Sequence, residues 1–188
     1  MVPLVNPQVA RQRTRPPESW WRGPVRWIVA VLALAAAIDA AYLTWTSLSH
    51  SVVAGCDGIG LANCDLVLSS PWSKWLLIPV ALGGALCYAG IFVLSLLAGR
   101  LTDEAGRWAG TLLLMLSLLA AGSGLWFVFL QVFALGAFCP HCMATHLSGL
   151  VIAGLVLWLY FTRPRDTGAT LQSRSGVATL PGAGARRP

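Results

Sequence analysis

The chain has 188 residues, of which 56% are hydrophobic and 11% are charged, and it contains 9 tryptophans. With a mean hydropathy of +0.69, this composition is too apolar for a soluble domain of this size and indicates a membrane protein in contact with the lipid bilayer. The net charge of +6 lies mostly at the two ends, as orientation signal and lipid-headgroup contact. Because the basic residues are not interleaved with aromatics on a separate soluble domain, we expect no nucleic-acid partner.

Residues 1–26 are rich in proline and arginine and predict a flexible or surface-lying basic tail. No small-residue cleavage site follows the first apolar run, so we do not expect a cleavable signal peptide. At the other end, residues 163–188 are rich in Gly, Ser, Thr and Ala and predict a disordered tail. The predicted membrane domain between the tails covers residues 27–162.

Within this domain, four apolar stretches approach the ~20 residues that a helix needs to cross a hydrocarbon core. They cover Trp27–Leu48, Leu76–Gly99, Trp108–Leu135 and Pro140–Thr162. Because backbone polar groups in lipid must be satisfied within the structure, these lengths predict an all-α membrane protein, a four-transmembrane-helix bundle with a long loop after the first helix.

Arginine placement predicts the orientation of the bundle. Both tails and the link with Arg100 and Arg107 are basic, whereas the loop at residues 49–75 carries a single Lys74. By the positive-inside rule, both termini are cytoplasmic. The long loop and the turn before the fourth helix then face the extracytoplasmic side of the plasma (inner) membrane, where disulfides persist.

The fourth apolar stretch opens with Cys139-Pro140-His141-Cys142. Proline suits the first helical turn, so we expect Cys139 at the helix cap and Cys142 one turn inside. Unsatisfied amide N–H groups and the helix dipole stabilise a thiolate there, and a cationic His141 favours the thiolate further and makes the disulfide easier to reduce. This pattern indicates redox chemistry.

A second pair, Cys56 and Cys64, lies in the long loop. Glycines around Cys56 predict a flexible segment, whereas Cys64 leads into an apolar turn at the membrane surface. Such a pair suits thiol–disulfide exchange, with Cys56 meeting a protein partner and Cys64 staying within reach of Cys139. Two alternatives stay open, namely a disulfide that only staples the loop and a zinc site that includes His141.

Two further residues stand out inside the spans. Asp39 is costly in lipid, so we expect it to face the bundle interior or water, near mid-span and away from a redox centre at the outer edge. Cys87 is a lone thiol of the kind that behaves as a small hydrophobe.

The spacing of Cys56 and Cys64, the segment Ser69-Ser70-Pro71-Trp72 and the CxxC at the start of the last helix resemble the vitamin K epoxide reductase family, in its bacterial branch. The resemblance covers roughly residues 28–162. It implies a four-helix bundle around a quinone, ubiquinone or menaquinone. It also implies that Cys56 exchanges with a thioredoxin-like partner, that Cys64 relays to Cys139, and that Cys142 reacts with the quinone.

The resemblance also suggests which residues contact the quinone. His146 stands where vertebrate members have a tyrosine, and its imidazole is expected to donate a hydrogen bond to a quinone carbonyl, or else to cap a carbonyl of a neighbouring helix. Ser70 and Trp72 resemble the cap over the quinone pocket, although Trp72 and Trp75 also suit an interfacial aromatic belt. Asp39 is a candidate for exchanging quinone protons.

Together these observations predict a membrane thiol–disulfide oxidoreductase. Electrons would pass from a reduced thioredoxin-like protein, acting in trans, through Cys56/Cys64 and Cys139/Cys142 to a bound quinone, generating disulfides. The alternative is a non-catalytic membrane protein with structural disulfides or a metal site.

Overall fold

The computed structural model describes residues 23–56, 62–75, 78–98, 100–101 and 103–162. Four of its helices are long and apolar enough to cross a membrane, which makes the chain a multi-pass membrane protein. In chain order the elements are α1 (Pro24–Ser49), α2 (Cys64–Ser69), a 3-10 turn (Pro71–Ser73), β1 (Lys74–Trp75), β2 (Ile78–Pro79), α3 (Val80–Ala98), α4 (Asp103–Leu130), a π-helical turn (Gln131–Leu135) and α5 (Pro140–Phe161).

The four long helices form a closed bundle in which α1 and α4 each pack against both α3 and α5. Small side chains of α1, such as Ala33 and Ala36, lie in the core and let the helix backbones approach closely. Large apolar side chains, such as Trp45 and Phe133, remain exposed on the outside. This surface suits acyl chains, and it confirms the predicted four-helix membrane bundle.

The chain topology brings the loop after α1 and the turn between α4 and α5 to the same end of the bundle. We call this the cysteine end, because both cysteine pairs lie there. The short α3–α4 link lies at the opposite end. The fold therefore collects sequence-distant thiols in one place.

Three helix starts differ from those predicted. Helix α4 begins at Asp103 rather than Trp108, because the helix continues beyond the apolar run into the polar residues that precede it. Helix α1 begins at Pro24 rather than Trp27, because proline fits the first helical turn. The second span begins at Val80, and the prediction of helix from Leu76 was wrong at its start, since β1 and β2 form an antiparallel hairpin. Pro79 explains the difference, because proline lacks an N–H and biases the residue before it away from helical backbone angles.

Several sequence predictions fall on residues outside the described ranges. They concern the disordered tail at residues 163–188, the basic tail except for residues 23–26, and the glycines at positions 58 and 60 of the long loop.

The tightest helix crossing involves Gly149 of α5. A Cβ atom at this position would lie 2.5 Å from Oη of Tyr88, and that hydroxyl donates a hydrogen bond to the carbonyl of Thr145. We therefore expect Gly149→Ala to lower the free energy of unfolding by about 1–3 kcal/mol, the usual cost of overpacking. Thermal denaturation in detergent measures the change.

Gly154→Ala is the matched control for this prediction. It adds the same methyl group to the same helix, but no atom lies within 4 Å of the added Cβ. A Gly149→Ala protein as stable as Gly154→Ala would show that the crossing tolerates a larger separation.

Candidate redox site

The two cysteine pairs meet in one buried cluster at the cysteine end. Cys64 and Cys139 are 1% and 0% exposed, and they pack with the apolar residues Leu43, Val53, Val67 and Ala137. Cys56 and Cys142 are partly buried and pack against this cluster. Each pair forms a disulfide, with Cα atoms 5.8 Å apart for Cys56–Cys64 and 5.2 Å apart for Cys139–Cys142. Thiols that are far apart in sequence are therefore neighbours in the fold.

A short backbone pairing holds Cys64 in this cluster. Ala62 and Phe138 form a parallel bridge, and the Asn63 N–H donates to the Phe138 carbonyl at 2.9 Å. The Asn63 side chain in turn caps α2 by accepting from the Leu66 N–H at 2.9 Å. Helix α2, which begins at Cys64, is thus fixed against the segment that leads directly into Cys139.

The CxxC has the predicted helix-cap geometry. Cys139 is the N-cap of α5, its sulfur accepts a hydrogen bond from the Cys142 N–H at 3.2 Å, and Pro140 occupies the first turn. The N–H of Cys139 itself donates to Oε1 of Gln131 at 2.9 Å. Gln131 is 2% exposed. We did not predict a role for this residue from the sequence. Its side chain is the lone amide in an apolar span, and this was a signal, because polar groups in membranes are seldom incidental.

His141, between the two cysteines, links three parts of the chain. Its Nδ1 lies 2.7 Å from Oδ1 of Asp39 in α1, and its Nε2 lies 3.1 Å from the Ala54 carbonyl in the Cys56 loop. A carbonyl only accepts hydrogen bonds, so the proton in the second contact belongs to the histidine. An ionised Asp39 also requires a proton on Nδ1. The geometry therefore favours an imidazolium beside the CxxC.

Asp39 lies closer to the CxxC than predicted. Besides contacting His141, it accepts a hydrogen bond from the Thr145 hydroxyl at 2.8 Å, so it faces α5 inside the bundle. The expectation of an acid remote from the redox centre was wrong. Helix α1 continues to Ser49, about 15 Å beyond Asp39 at 1.5 Å per residue, so the CxxC is recessed below the end of α1.

A cavity of about 340 Å³ adjoins the CxxC between the four long helices. Cys142 lines this cavity, whereas fully buried Cys139 does not. The walls are mostly apolar. A few polar groups also line the cavity, contributed by Ser47, Ser70, Ser73, Tyr88, Ser123, Gln131, Thr145 and His146. This is a typical composition for a small-molecule site, in which apolar walls bind and a few polar groups orient.

All three residues predicted to contact a cofactor line the cavity. Ser70 is buried and donates to the Val67 carbonyl at 2.8 Å, whereas Trp72 is half exposed. The ring of His146 stacks on Phe127, with centroids 5.9 Å apart and planes 7° apart. Within the described part of the chain, the His146 ring nitrogens have no hydrogen-bond partner, so the capping alternative finds no acceptor there. The cavity thus brings these side chains together with Cys142.

The structure also shows where the fifth cysteine lies and whether the described residues could form a metal site. Cys87 is free and partly buried, and it lies on the cavity wall. Among the described residues, no group of three or more His, Cys, Asp or Glu side chains is arranged to hold a metal ion.

A family model described as Vitamin K epoxide reductase family matches residues 27–157. The match covers both cysteine pairs, Asp39 and every residue that lines the cavity. With two thiol pairs converging beside a cavity at one end of a four-helix membrane bundle, this chain belongs to the vitamin K epoxide reductase family.

Proposed function

We propose that this member of the vitamin K epoxide reductase family is a membrane oxidoreductase that oxidises a dithiol protein and passes the electrons through its two cysteine pairs to a bound quinone. The observation that supports this proposal most strongly is the packing of Cys64 against the CxxC in one buried cluster. Of the four thiols in that cluster, Cys142 is the one that lines the cavity.

In the proposed relay, a reduced thioredoxin-like protein attacks the Cys56–Cys64 disulfide at Cys56. The partner's second thiol resolves the mixed disulfide, so the partner leaves oxidised and Cys56 and Cys64 become thiols. Cys64 then attacks Cys139, and Cys56 resolves that mixed disulfide, which leaves Cys139 and Cys142 reduced. Each step exchanges one disulfide for another and conserves both electrons and both protons.

The cavity fits a quinone, since its walls are mostly apolar and a few polar side chains line it together with Cys142. A bound quinone supplies a two-electron, two-proton acceptor, so the Cys139 and Cys142 dithiol returns to a disulfide as quinol forms. Cys142 contacts the cofactor, Ser70 and Trp72 close the cavity, and His146 offers a hydrogen-bond donor to a carbonyl oxygen. The imidazolium of His141 favours the thiolate form of the CxxC.

The proposed orientation places the cysteine end outside the cytoplasm and both termini inside. It is supported by the arginines at the opposite end, since Arg100 lies in the α3–α4 link and Arg107 lies near the start of α4. Secreted thiols would then be the ultimate electron source, and the thioredoxin-like partner would act in trans on the extracytoplasmic side of the plasma membrane.

The test is quinone reduction by purified protein with a reduced thioredoxin-like partner and short-chain ubiquinone or menaquinone. We expect quinol formation, followed by absorbance, in the wild type and none above background in Cys142→Ala. Equal rates in the two proteins would contradict the proposal. Metal analysis and thiol counting on the same samples test the alternative of a metal site or a structural staple, which requires bound metal or cysteines whose redox state never changes.

A further inference from the structure

We infer that Gln131 donates a hydrogen bond from its side-chain amide to a carbonyl oxygen of the quinone. This inference rests on the proposed function and adds a residue to it. It starts from a buried side-chain amide whose oxygen has a hydrogen-bond partner among the described residues and whose nitrogen has none.

The oxygen of this amide already has a partner. Oε1 accepts from the N–H of Cys139, and because that group is a donor, the orientation of the amide is fixed. The nitrogen, Nε2, carries two hydrogens and has no acceptor among the described residues. Gln131 is only 2% exposed, so water at the protein surface does not satisfy these hydrogens. Buried donors without a partner are rare and costly.

The position of Gln131 indicates what satisfies the donor. Gln131 lines the cavity together with Cys142 and His146. It is also the first residue of the π-helical turn that ends the third span, a local feature that often marks functional sites. A ligand with carbonyl oxygens in an otherwise apolar body would provide the missing acceptor, and a quinone has this chemistry.

The two halves of the amide therefore have separate roles. Oε1 accepts the hydrogen bond that holds the backbone of Cys139, and Nε2 donates a hydrogen bond to the molecule bound in the cavity. One side chain thus positions the CxxC and the cofactor relative to each other, and its donor contact would strengthen as the carbonyl oxygen gains negative charge.

The test compares wild type, Gln131→Met and the control Val132→Met in detergent. Val132 is the next residue of the same turn, is 43% exposed and does not line the cavity. Binding of ubiquinone is followed by quenching of tryptophan fluorescence. We expect Gln131→Met to raise Kd about tenfold, the factor associated with the loss of one hydrogen bond, and Val132→Met to leave it unchanged.

Infrared difference spectra of ubiquinone with ¹³C-labelled carbonyls provide the second readout. We expect a carbonyl band of the wild type to lie at lower frequency than in alkane solvent because of the hydrogen bond from Gln131, and we expect Gln131→Met to remove that shift. Reduction of the disulfides by dithiothreitol needs no quinone and reports the loss of the Cys139 contact separately. If Gln131→Met slows only that reduction, with Kd and the carbonyl band unchanged, the inference is wrong and Gln131 is only a helix cap.

Two outcomes keep the inference distinct from the proposed function. A wild type that binds no quinone overturns both. A wild type that binds and reduces quinone, but whose carbonyl bands match those in alkane, leaves the electron relay standing and overturns the hydrogen bonds proposed from Gln131 and His146. This second result needs no variant, so it holds even if Gln131→Met fails to fold.

Discussion

Replacement of Cys142 by alanine is expected to trap a disulfide between Cys64 and Cys139 in most of the purified protein. Cys139 remains a thiol in this variant and lies in the same buried cluster as Cys64. Its attack on the Cys56–Cys64 disulfide forms the new bond and releases Cys56 as a thiol. Without Cys142 no thiol resolves this bond from the CxxC side. The one reverse step is attack by the released Cys56 thiol, and alkylation of free thiols during purification blocks it, so the product accumulates.

Digestion without reductant, followed by mass spectrometry, identifies the linked peptides. Thiol labelling followed by peptide mapping gives an independent readout, because the trapped variant is labelled at Cys56 and Cys87, whereas a variant that keeps the Cys56–Cys64 disulfide is labelled at Cys139 and Cys87. The control Cys64→Ser/Cys142→Ala lacks the bond. Recovery of an intact Cys56–Cys64 disulfide with Cys139 labelled would contradict the relay and favour a loop staple.

Replacement of Asp39 by asparagine is expected to make the Cys139–Cys142 disulfide about tenfold harder to reduce, a shift of about 30 mV to more negative potential. The carboxylate holds the proton on Nδ1 of His141 at 2.7 Å, and a neutral amide does not stabilise the imidazolium in the same way. With less positive charge beside the CxxC, its thiolate is less stable and the reduced state is disfavoured.

Equilibration in dithiothreitol redox buffers, with thiols quenched and counted, measures this potential. Asp65→Asn is the matched control, since it removes an exposed carboxylate next to Cys64 in sequence that makes no contact with His141. A potential for Asp39→Asn that is unchanged or less negative would show that the ion pair does not tune the disulfide.

Much of the fold follows from local sequence. Lipid enforces helices wherever apolar runs are long enough, so all four spans were predictable. The cap at Cys139 was predictable for a similar reason, because proline at the next position restricts the backbone to helix initiation. These features depend on a few neighbouring residues.

Contacts between distant segments were not predictable in this way. Nothing in the sequence near Asp39 indicates that α5 begins level with it, because that depth depends on how the helices pack. The hairpin before α3 and the π-helical turn that begins at Gln131 are short local changes of backbone geometry, which the length of an apolar run does not register. Gln131 was overlooked because its role depends on a cavity formed by four helices.

The parallel bridge between Ala62 and Phe138 attaches one of the two loop thiols, Cys64, to the backbone that enters α5. Cys64 is tied through Asn63 to the entry of α5, whereas Cys56 follows directly from the chain that leaves α1. Extra residues inserted between positions 57 and 61 would enlarge the loop that the Cys56–Cys64 disulfide closes without moving Cys64, and each doubling of the loop length costs only about 0.6 kcal/mol. The length of the loop that presents Cys56 to an external protein can therefore change while the distance between Cys64 and Cys139 stays the same.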